Sequence, residues 1–185
     1  GTHVFRFGGS TCTTVYSNND LLAAVPAGAS GIAVPSGAQS VRLSFWHAWG
    51  FETGWDGATL LISNDDSTYY FIPASAILSG PYNGATGNYC PPPYGGGVPV
   101  WTGTQGAYQN TVVDLDTAYN YAYGTTTGCA GQTIYIGFAA ITDCSTMNLG
   151  WFLDDVAVTY QSTGTPCAPC ASLSVTGTNS AACPT

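Results

Sequence analysis

Apolar and polar residues alternate with a period of two in Val41-Arg-Leu-Ser-Phe-Trp-His47, which sets Val41, Leu43, Phe45 and His47 on one face of an extended segment. The run from Gln132 to Ile141 does the same with Ile134, Ile136, Phe138 and Ala140. Both predict strands with one buried face. Further runs of β-branched and aromatic residues, bounded by Gly, Pro, Asn and Asp, predict strands at residues 4–7, 58–63, 69–73, 108–115 and 152–160. Helix signals are nearly absent. The expected fold is all-β, and seven or more strands with long connections suit a two-sheet sandwich of jelly-roll type.

The alternation breaks between Ile77 and Gln109, where Gly-Pro-Tyr-Asn-Gly and Cys90-Pro-Pro-Pro-Tyr-Gly-Gly-Gly97 are too rich in turn formers for strands. An ordered excursion over one face is expected there. A second change of composition divides the chain into a sandwich over residues 1–161 and a Cys-rich extension over residues 162–185, which has too little apolar content to fold alone.

Composition narrows the classes. Charged residues make up 6% of the 185, so the polar surface must come from Ser, Thr, Asn, Gln, Tyr and Gly. A formal net charge of −8 with two arginines and no lysine leaves no basic patch, which excludes nucleic acid as a partner. No apolar run approaches the ~20 residues of a membrane span. Seven cysteines without His spacing for a zinc site favour an oxidising compartment, and a chain starting at Gly1 fits a mature secreted form whose signal peptide has been removed. An extracellular protein is expected.

Four of the ten carboxylates fall in two segments, Glu52 and Asp56 around the turn before residues 58–63, and Asp154 and Asp155 where the last strand begins. Arg6 and Arg42 cannot neutralise them all, so such a cluster must be solvated, protonated or metal-bound. If the two strands lie side by side, three or four oxygens converge, the hard donors from which calcium draws its about six to eight ligands. Solvated turn aspartates are the alternative. A glycosidase acid and base pair is disfavoured because Glu52 is the sole glutamate. His47 faces inward, His-Ala-Trp-Gly-Phe-Glu is not a zinc-protease motif, and no nucleophile elbow is present. The chain is read as non-catalytic.

Cys167-Ala-Pro-Cys170 has the spacing of a redox pair but lacks the βαβ context such pairs use, so it reads as structural. Cys12, Cys90, Cys129, Cys144, Cys167, Cys170 and Cys183 are all disulfide candidates, and their odd number leaves one thiol free or bonded to another chain. Among the aromatics, Trp46, Trp49, Trp55 and Trp151 are expected in core and rim packing. Tyr82, Tyr89, Tyr94 and Trp101 around the excursion are candidate ligand platforms, because exposed rings stack on sugars and also make protein interfaces.

The segments Leu43-Ser-Phe-Trp-His-Ala-Trp-Gly-Phe-Glu-Thr-Gly-Trp-Asp-Gly-Ala-Thr-Leu-Leu-Ile-Ser63, Ile77-Leu-Ser-Gly-Pro-Tyr-Asn-Gly84, Val100-Trp-Thr-Gly103, Asn110-Thr-Val-Val-Asp-Leu115, Ala130-Gly-Gln-Thr-Ile134 and Gly150-Trp-Phe-Leu-Asp-Asp-Val156 occur in that order. Together they resemble the MAM-like jelly-roll domain attached to bacterial immune inhibitor A metallopeptidases and other secreted proteins. The resemblance implies a structural calcium ion on Glu52, Asp56, Asp154 and Asp155. The Cys90 to Gly97 insertion and the cysteine tail fall outside the pattern, so no partner is implied. Two roles remain. The leading expectation is a self-associating extracellular subunit of a fibre or surface layer, with residues 2–7 adding to a neighbour's sheet edge and the odd cysteine cross-linking copies. The other is a carbohydrate-binding or adhesive module whose partner is extracellular polysaccharide.

Overall fold

The computed structural model describes residues 5–7, 22–24, 31–87, 97–142, 148–162 and 173–174. Two antiparallel sheets face each other across one core, bearing out the all-β expectation. In chain order the strands are β1 (Phe5–Phe7), β2 (Leu22–Ala24), β3 (Ile32–Ala33), β4 (Ala38–Gly50), β5 (Gly57–Ser63), β6 (Tyr70–Phe71), β7 (Ile77–Ser79), β8 (Gly84–Ala85), β9 (Pro99–Val100), β10 (Thr104–Asp114), β11 (Thr133–Ile141), β12 (Gly150–Ser162) and β13 (Leu173–Ser174). The larger sheet runs β1-β12-β4-β10-β7, with β13 also on β12, and the smaller runs β2-β11-β5-β6, with β3 also on β11. Strands β8 and β9 form a separate ribbon. The expected boundary at residues 161 and 162 falls inside β12, and β13 returns from the tail to pair Leu173 with Val158.

The alternation in β4 holds: Val41, Leu43 and Phe45 enter the core and His47 is fully buried beside them. From the facing sheet come Leu60, Ile62, Ile134, Ile136, Phe138 and Ala140. Strands β5 and β11 differ from expectation in being covered on both faces, since Leu61, Ala139 and Ile141 are also buried. Near-continuous apolar runs are what a doubly covered strand requires.

The expected strand over residues 108–115 holds as far as Asp114, but an α-helix that was not expected, α1 (Leu115–Tyr123), follows it. Its signals are local. Asp114 accepts hydrogen bonds from the backbone N–H groups of Asp116 and Thr117 at 3.1 and 3.2 Å, and Gly124 closes the helix in the left-handed region at φ 64°. Leu115, Ala118 and Tyr119 form its buried stripe. The Asp114 carboxylate also pairs with Arg42 at 2.6 Å.

The centre of the core is polar. Trp151 donates its indole N–H to His47 Nδ1 at 3.0 Å, and His47 Nε2 lies 2.9 Å from Thr111 Oγ1, whose hydroxyl reaches Gly80 O at 3.0 Å. Because an indole only donates, Nδ1 must be bare. The proton therefore sits on Nε2, which donates to Thr111, and the threonine donates onward to the carbonyl. The imidazole is neutral, ringed by Phe45, Trp49, Trp101 and Trp151, and burial lowers its pKa from 6.5 to about 3. Gly80 is required at φ 63°, where a Cβ would come 2.6 Å from Asn110 O.

A depressed histidine pKa sets the sign of the pH dependence. The unfolded chain gains a proton below about pH 6.5 while folded His47 stays neutral, so stability is complete above that pH and declines as pH falls towards 3. Chemical denaturation between pH 6.5 and 5, where carboxylates have barely begun to titrate, should give a loss on the order of 1.4 kcal/mol per pH unit. His47→Gln should lower stability at pH 7 and flatten that slope; an unchanged slope would remove His47 as its source.

Candidate functional site

The strands that build the core also display an outer face. On β4, Trp46 points away from the buried residues at 44% exposure, against the expectation of core or rim packing. It lies directly opposite Asn110 on β10 and Asp154 on β12, so the three form a row across adjacent strands. Tyr108 is exposed two residues from Asn110, and burial followed by the negative charge of Asp154 raises its phenol pKa, placing the two groups within electrostatic reach. Asn110 donates its side-chain N–H to Phe45 O at 3.2 Å, which fixes the amide and turns its oxygen to other partners. An aromatic plate thus sits among a carboxylate, an amide and a phenol. The signal was present in the alternation: if Phe45 and His47 face inward, Trp46 must face outward. Trp55 is likewise exposed, whereas Trp49 and Trp151 are in the core as expected.

Two of the expected platforms are elsewhere. Trp101 is fully buried, bridged to Ala58 on β5, and donates its N–H to Gly80 O and Pro81 O at 3.1 and 2.9 Å. The Tyr82 ring packs on it with centroids 4.4 Å apart. The Tyr82 hydroxyl accepts from the Leu60 N–H at 3.2 Å and donates to Ile72 O at 3.3 Å, and burial pushes its pKa up to about 12. These residues seal the core because the excursion folds inward at residues 80–82 and offers no ring surface to a ligand there. Tyr89 and Tyr94 lie outside the described residues.

The four expected calcium ligands are divided by the register. Asp154 opposes Trp46, while Gly150 opposes Gly50 four residues on, about 13 Å along the strand, and Glu52 and Asp56 lie beyond it. Among the described residues no three acidic, cysteine or histidine side chains gather as a metal-ligand group. One ion shared by all four does not fit this arrangement. The turn half has the character of a hard-cation site. Asp56 is buried beside a cavity of about 10 Å³, the space of one water-sized occupant, lined also by Gly50, Phe51, Ala140, Thr142, Asn148 and Gly150. Oxygen Oε2 of Glu52 is buried with no hydrogen-bond partner.

Cys129 is a correction to the disulfide set. It is a free, fully buried thiol, and its S–H donates to Asp116 Oδ1 at 3.3 Å. The same carboxylate accepts from the backbone N–H groups of Cys129 and Val41, both at 3.1 Å, tying the loop after α1 to β4. Burial, then the Asp116 charge, pushes the thiol up to about 12, so it is inert. The remaining six cysteines, Cys12, Cys90, Cys144, Cys167, Cys170 and Cys183, lie outside the described residues and are even in number.

No family model, curated protein or solved structure matches the chain. The reading of the site therefore rests on its own geometry.

Cysteine labelling after denaturation without reductant should find one free thiol per chain, on the peptide carrying Cys129, and none that labels in the native protein. A second thiol, or a label elsewhere, would contradict the assignment.

Proposed function

We propose that this chain is a secreted, non-catalytic β-sandwich of jelly-roll connectivity that acts as a carbohydrate-binding or adhesive module. The observation that carries the reading is Trp46, an exposed indole on a sheet face, set in register between an amide and a carboxylate. A sugar ring has an apolar face of C–H groups and an equator of hydroxyls, so a flat aromatic beside hydrogen-bonding side chains is its complement.

Two observations favour this reading over the fibre-subunit role expected first. Strand β1 pairs with β12 of its own chain, Phe5 opposite Leu153 and Phe7 opposite Trp151. The odd thiol is buried.

Calcium enters the proposal at the turn. Glu52 and Asp56 would hold the ion, which would satisfy the buried Glu52 Oε2 and act on stability, leaving Trp46 to meet the ligand.

Incubation of the intact protein with insoluble polysaccharides should deplete it from solution while gel filtration reports a ~19 kDa monomer. Filaments in negative stain together with no polysaccharide retention would overturn the reading. EDTA should lower Tm on the order of 5 to 10 °C, as loss of a ligand at a hundredfold excess over its Kd implies, with Ca²⁺ restoring it. Glu52→Gln should reduce that shift and Asp154→Asn should not; a melt indifferent to EDTA would remove the ion.

A further inference from the structure

The glycan-binding reading leaves the class of polymer open, and the charges around Trp46 narrow it. The row Asp154, Trp46, Asn110 spans strands β12, β4 and β10, about 10 Å from end to end, longer than one sugar ring. Its electrostatics are one-sided. Arg42, also on β4, is held by Asp114, which leaves Arg6 on β1, opposite Phe152, as one cation against the neighbouring Asp154 and Asp155.

The second of these, Asp155, is there because β12 is bulged. The register jumps between Asp154 and Ala157, which oppose Trp46 and Ser44, so Asp155 and Val156 together face Phe45. Val156 packs on the core, which makes Asp155 the extra residue, exposed and at φ 51°. Glycine would carry that backbone without crowding, so what aspartate adds there is its carboxylate. Oxygen Oδ1 of Asp154 accepts from the Asp155 N–H at 2.9 Å. Neither the second Asp154 oxygen nor the Asp155 carboxylate has a hydrogen-bond partner among the described residues.

We propose that this face binds an uncharged polysaccharide laid across β12, β4 and β10, with a ring face on Trp46 and ring hydroxyls donating to Asp154, Asp155 and the Asn110 amide oxygen. Carboxylates are the strongest acceptors for hydroxyl donors and the strongest barrier to a polyanion. A polymer of uronates or sulfated sugars would bring like charge to the half-buried Asp154 and the exposed Asp155, two carboxylates against the single arginine that β1 places opposite Phe152. A polycation would be drawn by charge alone and released by salt, whereas contacts made through an indole and hydroxyls are insensitive to it. The inference rests on the glycan-binding role above and assigns Asp154 and Asp155 to the ligand instead of to calcium.

Affinity electrophoresis of the full chain in native gels tests it, with hydroxyethylcellulose and glucomannan as uncharged polymers, alginate as polyanion and glycol chitosan as polycation, each at low and high salt. The uncharged polymers should retard the wild type equally at both salt levels, and alginate should not. Trp46→Ala should weaken retardation about tenfold. Asp155→Gly should weaken it several-fold while leaving Tm unchanged or raised, an outcome a purely structural aspartate would not give. If no uncharged polymer retards the wild type, the glycan-binding role itself fails. Retardation that survives Trp46→Ala keeps that role and overturns this site. Retardation by alginate, or salt-sensitive retardation by glycol chitosan alone, overturns the uncharged class. Concentration-dependent dimerisation abolished by Trp46→Ala would give the face to a second copy and overturn the proposal.

Discussion

Everything in this molecule turns on the strict alternation of β4, the strand held between β12 and β10. Its inward positions deliver Val41, Leu43, Phe45 and His47 to the core, and its outward positions include Trp46. A one-residue slip would exchange the two sets, burying an indole without a hydrogen-bond partner and exposing the histidine that receives one. The buried chain from Trp151 through His47 and Thr111 to Gly80 guards against such a slip, because each donor finds its acceptor in one register only. Core specificity and site geometry are therefore two faces of the same pairing.

The chain's flanking segments serve the same end. Strands β1 and β13 lie along the outer edge of β12, and β2 and β3 along the outer edge of β11, while β7 meets β10 only at Val112 and Val113. A protein with 6% charged residues has little repulsion to keep copies apart, and the short strands β1, β13, β2 and β3 shield part of the edges of β12 and β11. The open sheet face around Trp46 carries aromatic and hydrogen-bonding side chains.

Which carboxylates and which cysteines come together depends on cross-strand register. Four carboxylates in two segments suggested one cluster, but strands pair by register, and Asp154 falls opposite Trp46 instead of beside the Glu52 turn. Seven cysteines suggested a cross-link, but Cys129 donates to a carboxylate that also holds two backbone N–H groups, which makes it a packing residue. Tyr82 and Trp101 sat in a turn-rich stretch that reads as surface. Their polar ends instead meet backbone groups, the Tyr82 hydroxyl at Leu60 and Ile72 and the Trp101 indole N–H at the Gly80 and Pro81 carbonyls, so the rings enter the core.

The β character, the inward faces of β4 and β11 and the polar, weakly charged exterior are local consequences of side-chain period and composition, and the sequence by itself determined them. It also held the signals of α1, an Asp cap and a Gly stop, within a stretch whose strand pattern masked them. Which carboxylates meet, which cysteine stays single and which aromatics reach solvent depend on residues far apart in the chain. The bulge at Asp155 belongs to the same group, since an extra residue on one strand exists only relative to its partner. Those outcomes follow from cross-strand register and from where turns fold back on the core, and only the tertiary structure decided them.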